Sequence, residues 1–339
     1  MTSACTARDV HARPVLRAFL DVGQIALDGR FPLPLDRPFT HAAARAAGLQ
    51  NRDLCVLVDD GFLRRLVAGV YVSNQLPDSL ALRARALRLV VPPDAVVTDR
   101  TAGWLLGAHM VLAPGDHLAT PQVSMFVNRK GARLRNDLTS SGQRTLQSQD
   151  VTEMLGVRVT TALRTACDLG RLLNRDRAFA ALDAMLALGV FDVSELWDAV
   201  HRFRGMRGVR QLRGFAPLAD GRAQSPGESI LRLRWLDLLT LPRPEPQIEV
   251  PGPGQWSYWL DLGVRDLRYA AEYDGEEWHL RTPEQSARDS KRRTWMRKEQ
   301  GWIIDPVTKV NLFGRTRDIE GILLNGVREA RRRLRSRVR

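Results

Sequence analysis

The sequence predicts an α+β protein in three sections. A helix–turn–helix with a hairpin wing stands near the front, a mostly helical stretch follows, and the last third alternates as α-β-β-β-α-β-α. Three observations carry this reading. A short Ala-rich helix, a tight turn, a second helix and an alternating hairpin follow one another over residues 37–75. An amphipathic period of 3.6 persists through most of 161–218. Three strand-like runs crowd into 247–274 between helical segments.

Taken in order, residues 1–36 read as a helix from Pro14 to Ala26 and a Pro-rich connection, Phe31-Pro-Leu-Pro-Leu-Asp-Arg-Pro38. Thr40 is a good N-cap for a helix ending at Gly48, and Asn51 caps a second in which Leu54, Leu57 and Val58 recur at i, i+3 and i+4. Gly61 stops it, and Phe62–Val72 reads as a hairpin turning near Ala68-Gly69, which completes the winged helix. In the middle section, 76–222, helices are expected at Asp78–Val90 and Arg100–Leu106, and short strands near 116–127, 131–137 and 155–160. Several helices then run from Thr161 to about Leu218. Its acids and histidines are isolated on helical surface positions and carry no visible chemistry. Ala223-Gln-Ser-Pro-Gly227 is a linker leading into the section 225–339. There Ser225 at the N-cap, Pro226 at the first helical position and Glu228 three residues on form a capping box. Strands are expected at 247–250, 255–263 and 267–274. A helix over 283–300, a strand over 302–307 and a helix from Arg317 follow.

The charge balance bounds the partners. The chain has 339 residues with 51 Lys+Arg against 38 Asp+Glu, a net +13 that favours a polyanionic partner. Residues 225–280 carry a net −5 and residues 281–339 a net +10, the pattern of carboxylates set among phosphate-binding cations, although a solvated basic helix beside an acidic stretch would look the same. Only four of the basic residues are Lys; Arg suits phosphate and guanine edges better. Cys5, Cys55 and Cys167 are far apart, which excludes a zinc knuckle and a disulfide framework and fits a reducing cytoplasm. No apolar run is long enough to span a membrane, and the first residues lack a secretory h-region.

The chemistry sits in Trp259–Asp274. With a hairpin turning over Arg265-Asp266, paired residue numbers sum to 531, so Asp261 lies opposite Ala270, with Glu272 and Asp274 on the same face. Two readings stay open: three crowded carboxylates that require a hard divalent cation, or a solvated face with Asp266 in the turn.

Two resemblances add to this. The block Glu272-Tyr-Asp-Gly-Glu-Glu-Trp-His279, then Pro283-Glu-Gln285, Arg288-Asp289 and Gly301-Trp302, with Asp261 on the preceding strand, resembles the Vsr-like branch of PD-(D/E)XK nucleases. That resemblance implies a restriction-endonuclease-like fold over 225–339 and Mg²⁺ (or Mn²⁺) held by Asp261, Glu272 and the carbonyl of Tyr273. It also implies His279 as general base and Glu228 as orienter of a metal-bound water, a role its capping position could equally explain. Arg288, Lys291, Arg292 and Arg293 would face phosphates. Asp274 stands where that family usually has a transition-state Lys. Phe39–Gly48 through Gly61–Tyr71, with Val159–Leu169, resembles AbiEi-type antitoxins, which implies DNA contacts from Arg45 and Arg52 in the groove and from Arg64 and Arg65 on phosphates. Two functions are therefore expected. One is a metal-dependent DNA endonuclease; the alternative is a non-enzymatic AbiEi-like antitoxin or transcriptional repressor with a degenerate nuclease fold. Either would sit in the cytoplasm at the nucleoid with DNA as partner, and a toxin partner or a homodimer is left open.

Overall fold

A computed structural model describes residues 13–116, 119–127, 139–141, 144–275 and 283–338. The chain divides into two compact units, Met1–Met110 with His117–Thr165, and Val111–Asp116 with Ala166–Arg339. The partition thus falls inside a helix of the middle section and not at the 223–227 linker.

The first unit opens with α1 (Pro14–Arg17), β1 (Phe39–Thr40), α2 (His41–Ala46), α3 (Asn51–Asp59), β2 (Leu63–Val67) and β3 (Val70–Ser73). The winged helix is present as expected, with β1-β3-β2 forming its sheet. Thr40 caps α2, its Oγ1 accepting from the Ala43 N–H at 3.1 Å. Gly61 ends α3 with φ +78°, a left-handed conformation that glycine adopts without steric cost. Two expectations need correction. The cap of α3 is Gln50, whose N–H donates to Asp53 Oδ2 at 2.6 Å, because Asn51 is already helical. The first helix is a single turn and not the expected Pro14–Ala26, and Leu16, Phe19, Leu20, Leu27 and Phe31 are buried in one core with the winged helix.

The unit continues through α4 (Leu80–Arg88), β4 (Ala95–Val97), α5 (Asp99–Leu105), β5 (Val123–Val127), β6 (Thr139–Ser141), β7 (Val151–Met154) and β8 (Val157–Thr160). These strands form one sheet in the order β6-β5-β4-β8-β7. The strand expected at 131–137 lies outside the described residues. β4 was not expected: Ala95, Val96 and Val97 form a run too short to show a period, yet it is the buried centre of the sheet. Val67, Val70, Leu87, Val97 and Val159 share one core, so wing and sheet are packed together.

α6 (Ala162–Leu172) leads into the second unit, with α7 (Arg175–Leu186), α8 (Val193–Ala199), α9 (Val209–Phe215) and α10 (Pro226–Asp237). α7 and α10 are joined by charge. Arg232 Nη2 donates to both Asp183 oxygens at 2.6 Å, with both side chains almost wholly buried, and Arg234 pairs with Asp176. β9 (Glu245–Pro251), β10 (Ser257–Val264) and β11 (Tyr269–Asp274) follow, then α11 (Pro283–Lys298), β12 (Ile303–Thr308), α12 (Lys309–Phe313) and α13 (Ile319–Val338). The sheet order is β12-β11-β10-β9, antiparallel except for the parallel β11–β12 pair. On one face, Leu262, Tyr269 and Ala271 pack with Ile230 and Trp235 of α10 and with Leu323 and Val327 of α13. On the other, Ile248, Leu260 and Ala270 pack with Met296 of α11. The expected α-β-β-β-α-β-α order is present, with α12 as an added short turn, and the architecture is α+β. Among the described residues no helix is long and apolar enough to cross a membrane.

Candidate functional site

The site is built on the β10–β11 hairpin. Its pairs are Leu262↔Ala271, Gly263↔Ala270 and Val264↔Tyr269, a sum of 533 and not the expected 531. A two-residue turn needs residues that tolerate positive φ at its centre, and Arg265-Asp266 are poorly suited. The chain uses a 3₁₀ turn over Arg265–Leu267 with Arg268 left-handed at φ 48°. The shift is two residues in the sum, and the ladder ends at Leu262↔Ala271, one step short of Asp261 and Glu272. Strict alternation fails on the other side of β10. Leu260 and Leu262 enter opposite cores, and Gln247, across from Asp261, takes φ 53°.

Asp261 accepts from the Tyr273 N–H through Oδ2 at 2.8 Å, so a side chain stands in for a ladder acceptor. Burial, and then the negative charge of Glu228 and of Glu272, push its carboxyl up to about 7, against the pull of the Tyr273 N–H and Arg292. Glu228 arrives from the first turn of α10. Its N–H donates to Ser225 Oγ at 3.2 Å, as expected of the cap. The reciprocal arm differs: Glu228 Oε2 accepts from the Gln224 N–H and from Gln247 Nε2, both at 2.9 Å, because its carboxylate is drawn one residue further back. Burial raises its carboxyl as well. Gly227 lets α10 approach this closely, since a Cβ there would come within 2.0 Å of the Tyr273 ring.

Two arginines of α11 close the cluster. Arg292 Nη2 donates to both oxygens of buried Glu272, each at 2.8 Å, and its Nη1 donates to the Trp259 carbonyl at 3.3 Å. Arg293 reaches Glu272 at 3.4 Å and buried Asp274 at 3.1 Å. Both side chains were expected to face phosphate; they turn inward onto carboxylates. Lys291 is exposed on the same helix, Arg288 falls on it, and His279 lies outside the described residues. Two guanidinium groups supply the charge of one divalent cation against the same acids. As arranged, the donors do not suit a metal. Both Glu272 oxygens and one of Asp261 already accept hydrogen bonds, and among the described residues no group of three His, Cys, Asp or Glu is placed to hold an ion.

The winged helix of the first unit offers a separate surface. Arg45 on α2 and Arg52 in the first turn of α3 are exposed. Arg64 and Arg65 are half-buried. Arg64 Nη2 donates to the Leu76 carbonyl at 2.6 Å; Arg65 lies over the Tyr71 ring at 5.2 Å and donates to Thr120 Oγ1 at 3.1 Å. These two shape the wing. What the sequence reading missed are Gln224 and Gln247, the partners of Glu228, and the inward turn of Arg292 and Arg293. A positive φ at a glutamine leaves no mark in a sequence.

Comparison with known proteins agrees with the resemblance over the middle of the chain. Residues 95–217, from β4 through α9, match the family described as AbiEi antitoxin C-terminal domain. Two curated relatives, the uncharacterised proteins MT2308 and Rv2248 of two Mycobacterium tuberculosis strains, are each 35% identical over 268 residues, which is 76% of this chain and 90% of theirs. The chain belongs to the family of these mycobacterial proteins and, over residues 95–217, is similar to the AbiEi antitoxin C-terminal domain.

Proposed function

We propose that the chain is a DNA-binding regulator of the antitoxin kind, in which the winged helix contacts DNA and the C-terminal nuclease-like sheet is a binding module and not a hydrolase. The observation that carries the second half is the Arg292–Glu272 pair, in which Nη2 donates to both carboxylate oxygens and sets a guanidinium against the acid that a phosphate-activating cation would need. The antitoxin match over 95–217 supports the kinship with antitoxins, and the helix pair with its hairpin wing supports the DNA contact. A toxin is then the expected protein partner, and the nucleoid the place of work. Arg45 and Arg52 are the exposed cations on the helix pair and would reach the groove. Fluorescence anisotropy with labelled duplex DNA in EDTA tests this: wild type binds, and Arg45→Ala with Arg52→Ala binds at least tenfold more weakly. Binding that requires Mg²⁺, or that ignores both substitutions, contradicts the reading.

The metal-dependent endonuclease is kept as a second reading because one observation favours it. Asp261, Glu228 and Glu272 lie close enough to raise the Asp261 carboxyl, a repulsion that a cation would relieve were Arg292 to withdraw.

A further inference from the structure

α13 divides sharply between two faces. Ile319, Leu323, Val327 and Ala330 are buried in the sheet core, while Arg328, Arg331, Arg332 and Arg335 recur at i, i+3, i+4 and i+7 and are exposed. These four arginines rim a cleft of about 360 Å³ floored by Leu241 and Leu324, with no carboxylate in its lining. Glu329, the nearest acid on the helix, is 3.8 Å from Arg332 and already accepts from Arg333 at 2.9 Å. Arg331 and Arg335 have no ion-pair partner among the described residues. Elsewhere exposed arginines sit beside acids, as Arg30 does with Asp21 and Asp28, and Arg222 with Asp220. Like charges at i, i+4 repel one another, so this face is held against its own repulsion.

We propose that this cleft binds the sugar–phosphate backbone of duplex DNA without reading its sequence. The four guanidinium groups span about 10 Å of helix axis. That length covers about three consecutive phosphates of one strand at about 3.4 Å of axial rise each. Guanidinium forks bond phosphate oxygens bidentately, and the apolar floor suits the sugar edge. The inference rests on the chain being a DNA binder, but on neither the winged-helix contacts nor the arginine clamp.

The test replaces Arg328, Arg331, Arg332 and Arg335 by Gln in the full chain, with Arg204, Arg207, Arg210 and Arg213 replaced by Gln as a control of equal charge. Affinity for a labelled duplex of arbitrary sequence is measured from about 50 to 200 mM salt. The α13 variant should bind ten- to a hundredfold more weakly at low salt, and its log–log salt slope should flatten by about 2–4. Circular dichroism confirms folding, and the milder pair Arg331→Gln with Arg335→Gln should flatten the slope by about half as much. A loss no larger than the control's overturns the proposal and leaves the DNA-binding reading intact. Wild type failing to bind any duplex removes both. Poly-glutamate competing as well as DNA of equal charge also overturns it, in favour of an acidic protein partner.

Discussion

Replacing Asp261 by Asn should stabilise the protein at neutral and higher pH. In the folded chain the Asp261 carboxyl is pushed to about 7 from an ordinary 3.8 by burial and by Glu228 and Glu272. Between those values the native state holds a proton that the unfolded chain has released. The stability this group contributes is therefore complete below about pH 4, falls as pH rises to about 7, and is flat above. Three pH units at about 1.4 kcal/mol each put the cost of ionising Asp261 in place at about 4 kcal/mol. An asparagine has the same shape and keeps an oxygen to accept from the Tyr273 N–H. It removes the charge, so it should recover about 2–4 kcal/mol at pH 8 and almost nothing at pH 4. Urea unfolding of both proteins at several pH values gives the difference directly, and subtraction cancels the titrating groups that do not interact with Asp261. A variant that is less stable at pH 8, or a difference independent of pH, would falsify the picture of repelling acids beneath the arginine clamp.

Other perturbations follow from the same packing. Asp183→Ala strands the buried Arg232 guanidinium between α7 and α10 and should cost about 3–5 kcal/mol in denaturant unfolding, whereas breaking an exposed pair such as Arg265–Glu245 should cost under about 1 kcal/mol. Gly227→Ala drives a methyl group into the Tyr273 ring and should lower stability by about 1–3 kcal/mol in the same assay. In thermal denaturation, Arg65→Ala should lower the melting temperature of the first unit through loss of its Tyr71 and Thr120 contacts. In DNA titrations it should matter less than Arg52→Ala, an ordering that equal or larger binding losses for Arg65→Ala would contradict.

The elements legible in the sequence were those with a strong local signal. The winged helix announced itself through Thr40, Gly61 and the Ala68-Gly69 turn, and α10 through Ser225-Pro226. β4 was invisible because three valine-class residues buried on both faces show neither alternation nor length. The hairpin register was misjudged by one residue on each strand because a 3₁₀ turn with Arg268 left-handed has no Gly or Asn to mark it. Pairing these two strands was nevertheless enough to bring Asp261 near Glu272, whose charge helps raise the Asp261 carboxyl. The closure of the acid cluster was not foreseeable: which way Arg292 and Arg293 point depends on how α11 seats Met296 against Ile248 and Ala270, a tertiary fact.

The central claim is that the chain binds DNA without cutting it, its acids neutralised from within by Arg292 and Arg293. A supercoiled-plasmid assay with purified protein in Mg²⁺, in Mn²⁺ and in EDTA, run beside a band shift on the same DNA, tests this most directly. The account predicts a retarded plasmid in all three conditions and no nicked or linear product in any. Metal-dependent nicking that disappears in the Asp261→Ala variant would contradict it and restore the endonuclease.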